Sequence, residues 1–217
     1  MKKNKIKLFN LILLYISNFQ NFDGIKKLNK LLYFTDFKYY EKFSKPITGY
    51  NYVKYPRGPV IEGYQKIIEE MVDNKLIKRE KIQVLGENKI YTIHKLEKIV
   101  EPNLDLFEIK ELKVIREVWH ENEMKNGKEL EEESHRDAPW ILSEFNQIIP
   151  YFFVKYRNEN LDDYKISEIK AEYAYNRAKL LAKEANKESY KSNDYDDIRI
   201  NEDFNSLTEI FFESSDY

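Results

Sequence analysis

Apolar residues recur along most of the chain at the three- and four-residue spacing of helices, and one stretch alternates as a strand does. The N-terminal stretch predicts an amphipathic helix. Its inward stripe is Ile6, Phe9, Leu13, Ile16 and Gln20. A second, long helix is predicted from Asp23, whose side chain would cap it, to about Phe43. A turn and a short apolar piece near Val53 follow, and Pro59 suits the first turn of a third helix.

The alternating stretch lies at residues 76–95 and predicts a β-hairpin, with turn residues at 86–88. Because this hairpin directly follows a helix, the arrangement is that of a winged helix. Downstream, one helix is predicted over about 105–120, with Ile109 facing inward. A short helix and a turn are expected within 128–145.

The composition changes near the C-terminus. Residues 165–189 are rich in Ala, Lys and Glu and predict one long helix, and residues 189–217 are acidic. The predicted fold class is therefore mainly α: a helical domain with a small winged-helix-like β-hairpin, plus a C-terminal helical extension. The expected division is a domain over 1–157 and a helix with an acidic tail over 158–217.

Composition and charge narrow the possible functions. The chain has 217 residues, 15% of them aromatic, and no Cys, which excludes disulfides, thiolate catalysis and Cys-based metal sites. The net charge of −2 hides an asymmetry. Residues 1–95 carry 19 Lys and Arg against 9 Asp and Glu, whereas residues 96–217 carry 17 against 29. A polar partner, or two halves of one fold that pair with each other, would explain this asymmetry.

Motifs for catalysis and metal binding are incomplete. His120 and Glu121 begin like a zinc-protease motif, but Met124 stands where the second His is needed. Gly58 and Gly63 have the spacing of a phosphate-binding loop without its Lys and hydroxyl residue. We therefore predict no catalytic, cofactor-binding or metal-binding residue, and a protein that is not an enzyme.

The N-terminus has a basic start and an apolar middle, as signal peptides do. Asn10 interrupts the apolar run, and no small-residue cleavage site follows it. The run is also too short to span a bilayer. A core-facing helix is the better interpretation, and a cytoplasmic protein without membrane contact is expected.

A basic patch near the second and third helices is a moderate signal for DNA binding, because interleaved aromatic residues could stack on bases. Its members are Lys26, Lys27, Lys30, Lys38, Lys42, Lys45, Lys54 and Arg57. Against this interpretation, the sequence pI of 6.1 is well below the roughly 9 of a dedicated nucleic-acid domain. Weak binding to operator DNA is the most that the sequence predicts.

Three segments together resemble a known family. They read KLNKLLYFTDFKYY (27–40), KPITGYNYVKYPRGPV (45–60) and ELEEESHRDAPW (129–140). In order and spacing they resemble the Panacea domain, also called the SocA-like antitoxin domain and related to the phage-associated protein GepA. The resemblance covers about residues 8–155, and the C-terminal extension lies outside it.

The resemblance implies an antitoxin of a bacterial or phage toxin–antitoxin pair that neutralises a cognate protein toxin by direct binding. It also implies an alternative, since a SocA-like member acts as an adaptor that delivers its toxin to a protease. A winged-helix autorepressor that binds operator DNA is the other alternative. The shared motif residues are expected to determine the fold: Pro46, Thr48, Gly49, Gly58, Pro59, His135, Pro139 and Trp140.

Two surfaces are candidates for binding the toxin, because Tyr and Phe give contact area at low entropic cost. One is a basic, aromatic face with Lys30, Tyr33, Phe37, Tyr40 and Arg57. The other is the extension, with Tyr173, Tyr175, Tyr190, Phe204, Phe211 and Phe212. The extension is favoured, because toxin-specific contacts could vary freely outside the shared domain.

Overall fold

The computed structural model describes residues 4–19, 23–85 and 90–188. The chain divides into two compact units between Val154 and Lys155. The α-helices are α1 (Lys5–Ile16), α2 (Ile25–Phe43), α3 (Tyr64–Asp73), α4 (Ile109–Asn122), α5 (Gly127–Arg136), α6 (Ala138–Leu142) and α7 (Asp163–Glu188). The strands are β1 (Tyr52–Tyr55), β2 (Gly58–Ile61), β3 (Ile77–Leu85) and β4 (Ile90–Lys98), and 3₁₀ turns lie at Leu104–Leu106 and Tyr151–Tyr156. The predicted class, mainly α with a small hairpin and a C-terminal helix, is confirmed.

Helix α2 forms the centre of the first unit. Most of its apolar side chains are buried, and it packs against α1, α4, α5 and β2. Six of them are fully buried: Leu28, Leu31, Leu32, Tyr33, Phe37 and Tyr39. A helix with this many buried apolar residues belongs to the core, and each such side chain stabilises the fold by about 1.5–3 kcal/mol.

The predicted hairpin at 76–95 is present as β3 and β4, which pair antiparallel from Ile77 opposite Lys98 to Leu85 opposite Ile90. It follows α3 directly, as predicted. A second hairpin was not predicted. Strands β1 and β2 pair antiparallel, and residues 146–149 extend this sheet beyond β1 through the bridge between Val53 and Ile148.

Pro59 was expected at the start of a helix, and this was wrong. It lies in β2, opposite Lys54. Gly58 adopts φ +90°, which lets the chain reverse between Tyr55 and Gly58 within two residues. The chain therefore forms a strand first, and α3 begins only at Tyr64.

Three details of the helices also differ from expectation. Ile6 and Ile109 were expected to face inward, but 65% and 88% of their surfaces are exposed. Gly24, not Asp23, occupies the N-cap position of α2, and the Asp23 carboxylate pairs with Lys27 at 3.0 Å. Gln20 lies outside the described residues. The stripe of α1 is thus rotated towards Leu8, Leu11, Ile12, Tyr15 and Ile16, which are buried.

The second unit contains α7, a helix of 26 residues. Tyr164 and Tyr175 are well exposed on it, at 80% and 68%. Within the described residues, no helix is both long enough and apolar enough to cross a membrane.

Candidate functional site

The three segments that carry the family resemblance meet in the interior of the first unit. Asp36 of α2 lies at the first meeting point and is fully buried. Its carboxylate accepts hydrogen bonds from the backbone N–H groups of Ile47 and Thr48, both at 2.9 Å, and from the hydroxyls of Thr48 (2.5 Å) and Tyr52 (2.9 Å). Burial raises the pKa of Asp36 to about 6, and these hydrogen bonds oppose that shift.

Asp36 therefore fixes the turn that connects α2 to β1. Thr48 is buried inside this turn, and Gly49 adopts φ +70°, a conformation that favours glycine. The hydroxyl of Tyr151 adds a hydrogen bond of 2.5 Å to the Tyr50 carbonyl in the same turn. These contacts support a structural role for the Pro-Ile-Thr-Gly motif.

Lys30 of α2 lies at the second meeting point. Its ammonium group donates to the carbonyls of Arg57 (2.6 Å) and Pro59 (3.1 Å), so it satisfies acceptors along the edge of β2. Burial lowers the pKa of Lys30 to about 7. A Cβ at Gly58 would lie 2.4 Å from Lys30 Nζ and 2.7 Å from Ser134 Oγ, so only glycine fits there. The Arg-Gly-Pro motif thus brings the β1–β2 turn against α2 and α5.

The third meeting point joins β1 to α6. Lys54 Nζ lies 4.0 Å from the centroid of the Trp140 ring and donates to the Ser143 carbonyl at 2.8 Å. The His135 ring stacks on Trp140, with centroids 4.2 Å apart, and burial lowers the pKa of His135. These contacts hold the α5–α6 corner against the sheet.

Replacing Trp140 with Ala should lower the free energy of unfolding by about 2 kcal/mol. This is less than the loss for a fully buried Trp, because the ring is half-buried, but it removes the surface on which Lys54 and His135 pack. Urea denaturation followed by circular dichroism measures the change. Trp140→Phe, which keeps an aromatic face, should lose less than half as much. An unchanged midpoint for Trp140→Ala would contradict the structural role.

The basic, aromatic face expected around α2 does not exist as a surface. Lys30, Tyr33, Phe37 and Tyr40 are between 0% and 5% exposed, so this part of the prediction was wrong. Their side chains face the interior of the first unit, and Tyr33 donates to the Asp137 carboxylate at 2.8 Å. Only Arg57, at the tip of the β1–β2 hairpin, is exposed as expected.

The candidate residues of the extension divide into two groups. Tyr175 is exposed on α7, and Tyr173 is half-buried, with a pKa raised by burial. The remaining candidates, Tyr190, Phe204, Phe211 and Phe212, lie outside the described residues. Their role in binding stays a prediction.

Part of the charge asymmetry is neutralised by ion pairs within the first unit. Lysines of α2 pair with glutamates of α4 and α5: Lys26 with Glu131, Lys38 with Glu121, and Lys42 with Glu117. Beyond α2, Lys45 pairs with Glu108 at 3.5 Å, and Lys30 and Lys54 are buried. These ion pairs support the interpretation of two halves that pair with each other, although the acidic residues of 189–217 lie outside the described residues. Most of the predicted basic patch is paired or buried.

Sequence reasoning missed Asp36, and it placed Lys54 in a surface patch although Lys54 is buried. Both are charged residues in a mostly apolar and aromatic stretch, which is the signal that could have identified their burial. Neither forms a metal centre: among residues 4–19, 23–85 and 90–188, no three His, Asp or Glu side chains cluster so as to hold a metal ion.

The comparisons with known proteins agree with this framework. The model of the family described as antitoxin SocA-like, Panacea domain, matches residues 28–141. This range includes Asp36, Lys30, Gly58 and Trp140. No curated protein and no solved structure matches the chain. Because the family model covers more than half of the chain, the chain belongs to the SocA-like antitoxin family that is defined by the Panacea domain.

Proposed function

We propose that this protein is an antitoxin that neutralises a cognate protein toxin by direct binding. The match to the antitoxin family over residues 28–141 carries this proposal. The buried motif residues are consistent with it, because they build a framework and leave the surface free to differ between members that meet different toxins. A non-catalytic role is part of the same proposal.

We expect the extension to contribute contacts. On α7, Tyr164 and Tyr175 are eleven residues apart, so they lie on one face of the helix, with Ala171 between them and Ala178 one turn after Tyr175. All four residues are exposed. Large aromatic rings separated by small side chains give a surface that another helix can pack against.

The alternatives receive less support. A DNA-binding autorepressor needs free cations, but Lys26, Lys38 and Lys42 already have carboxylate partners. An adaptor for a protease would need a second docking surface, and the acidic residues 189–217 would have to supply it. Direct neutralisation needs one surface and no further partner.

Co-expression tests the function. The protein encoded next to this chain is induced in a bacterial host, alone and together with the full chain, and growth is measured. We expect the neighbour to arrest growth and the full chain to restore it. The purified pair should elute together in size-exclusion chromatography. Rescue of growth without formation of a complex would favour the adaptor. Rescue that disappears when the operator sequence is removed would favour the repressor.

Truncation after Arg157 tests the extension. We expect residues 1–157 to rescue growth poorly, since α7 would be lost. The double variant Tyr164→Ala and Tyr175→Ala removes only the rings and keeps a residue with high helix propensity. It should weaken binding, whereas Leu181→Ala on another face of α7 should not. Full rescue by residues 1–157 would assign the interface to the first unit alone.

A further inference from the structure

The two sides of α4 differ in charge. Glu111, Glu117 and Glu121 lie on the side that faces α1 and α2, where they pair with lysines. Lys113, Arg116 and His120 lie on the outer side, together with Ile109, because these positions are three, four or seven residues apart. All four outer side chains are exposed. The internal pairing therefore uses the acidic side of α4 and leaves its basic side facing solvent.

Arg116 and Lys113 are the permanent cations on this side. Among the described residues, neither Arg116 nor Lys113 has a carboxylate within ion-pair distance, although the charge of Lys113 acts on Glu117. His120 approaches Glu123 at 3.8 Å. The lysines of α2 differ in this respect, since their partners lie on the neighbouring helices.

An apolar groove runs beside this basic stripe. It encloses about 300 Å³ between α1, α4 and the 3₁₀ turn at Leu104–Leu106. Leu14, Tyr15, Leu112, Ile115 and Trp119 line it, and Arg116 and His120 stand on its edge. Leu104 at the opposite edge is 46% exposed. Apolar walls with one charged edge are typical of grooves that bind an amphipathic helix.

We propose that this groove docks an acidic amphipathic helix of a partner protein, with apolar side chains against Trp119 and Leu112 and carboxylates beside Arg116 and Lys113. This inference rests on the proposed antitoxin function, in which the partner protein is the toxin. The charges decide between occupants: a basic helix would be repelled by Arg116, and an uncharged one would leave the stripe unpaired.

A nucleic acid fits this surface less well. The stripe offers two permanent cations beside a mostly apolar groove, whereas nucleic-acid sites place a longer series of cations along the backbone. The observations therefore favour a protein helix.

The test uses a synthetic probe and the full chain. The probe is a fluorescein-labelled helical peptide of about 18 residues with Leu on one face and Glu on the other, and a second peptide carries Lys in place of Glu. Fluorescence anisotropy should show that the Glu peptide binds and the Lys peptide does not. The double variant Lys113→Glu and Arg116→Glu should weaken the binding about tenfold or more. Lys66→Glu, an exposed cation on α3, makes a matched control that should bind as the wild type does.

Two further readouts locate the peptide. Trp119 is one of two tryptophans, so a peptide without Trp should change the intrinsic fluorescence, and Trp119→Phe should remove most of that change. Raising the salt to about 1 M, where the Debye length is about 3 Å, should weaken the complex. Leu104→Ser, at the other edge of the groove, should weaken it without altering its salt dependence.

The inference would be overturned if the Glu peptide showed no saturable binding, if both peptides bound equally, or if the double charge variant bound the Glu peptide as the wild type does. Tighter binding of a single-stranded oligonucleotide at the same stripe would also overturn it, in favour of nucleic acid. The neutralisation assay is separate. Growth rescue that survives the double variant would reject the groove and keep the antitoxin function, whereas peptide binding without any rescue by the full chain would reject the function.

Discussion

Asp36→Ala should lower the free energy of unfolding by about 3–5 kcal/mol, the largest loss expected from a single substitution in this protein. Asp36 is fully buried and accepts four hydrogen bonds. Alanine would leave the N–H groups of Ile47 and Thr48 without an acceptor in the interior, and each such group costs about 1–3 kcal/mol. The hydroxyl of Tyr52 would lose its acceptor as well.

Asp36→Asn is the matched control, because it keeps the size of the side chain. Its amide oxygen can still accept from the two backbone N–H groups, and its NH₂ group can donate to the hydroxyls of Thr48 and Tyr52. We expect it to lose less than half as much stability as Asp36→Ala. Urea denaturation of both variants, followed by circular dichroism at one pH, gives the comparison. Equal losses would mean that the charge of Asp36, and not its acceptor oxygens, holds the turn.

The helices were predictable where one side faces the core. The spacing of apolar residues placed α2 and the β3–β4 hairpin close to where they lie, because periodicity follows directly from burial on one face. The same periodicity did not identify which polar and aromatic residues of α2 are buried, because most of this helix is enclosed by neighbouring elements. Lys30 and Tyr40 looked like surface residues in the sequence and are buried, at 1% and 5%.

The β1–β2 hairpin could not be derived from local patterns. Strand β1 has four residues, which is too short to show an alternation. Its edge is completed by residues 146–149, almost 100 positions later, through hydrogen bonds such as Ile149 N–H to Tyr52 O at 2.7 Å. A pairing this distant in sequence is set by tertiary contacts and leaves no periodic signal. Pro59 was therefore assigned to a helix and lies in a strand.

The candidate site was only partly accessible to sequence reasoning. The three motif segments were identified, and residues of all three meet around Lys30, Asp36 and Lys54, each of which is buried. The opposite charges of the two halves were visible in the composition, but their pairing depends on how α2 packs against α4 and α5. The basic stripe beside the groove could not be predicted for the same reason. It consists of the cations of α4 that face solvent once the glutamates of α4 pair with lysines of α1 and α2.

Lys30 should make the stability of the protein rise with pH above neutrality. Burial lowers the pKa of Lys30 to about 7 from 10.5. Between these two values the unfolded chain holds the proton and the folded chain does not, so each pH unit favours folding by about 1.4 kcal/mol. Below about pH 7 both states carry the charge, and the cost of burying it is fully present.

Lys30→Met removes the titration and keeps a chain of similar length. Met cannot donate to the carbonyls of Arg57 and Pro59, so this variant will be destabilised by an amount that does not depend on pH. The informative quantity is the difference between wild type and variant, which should grow by about 2–3 kcal/mol from pH 7 to pH 9. Urea denaturation in matched buffers measures it, and Lys66→Met, at an exposed position on α3, should follow the wild-type curve. A difference that stays constant over this range would show that Lys30 remains charged in the folded protein, with the Arg57 and Pro59 carbonyls compensating its burial.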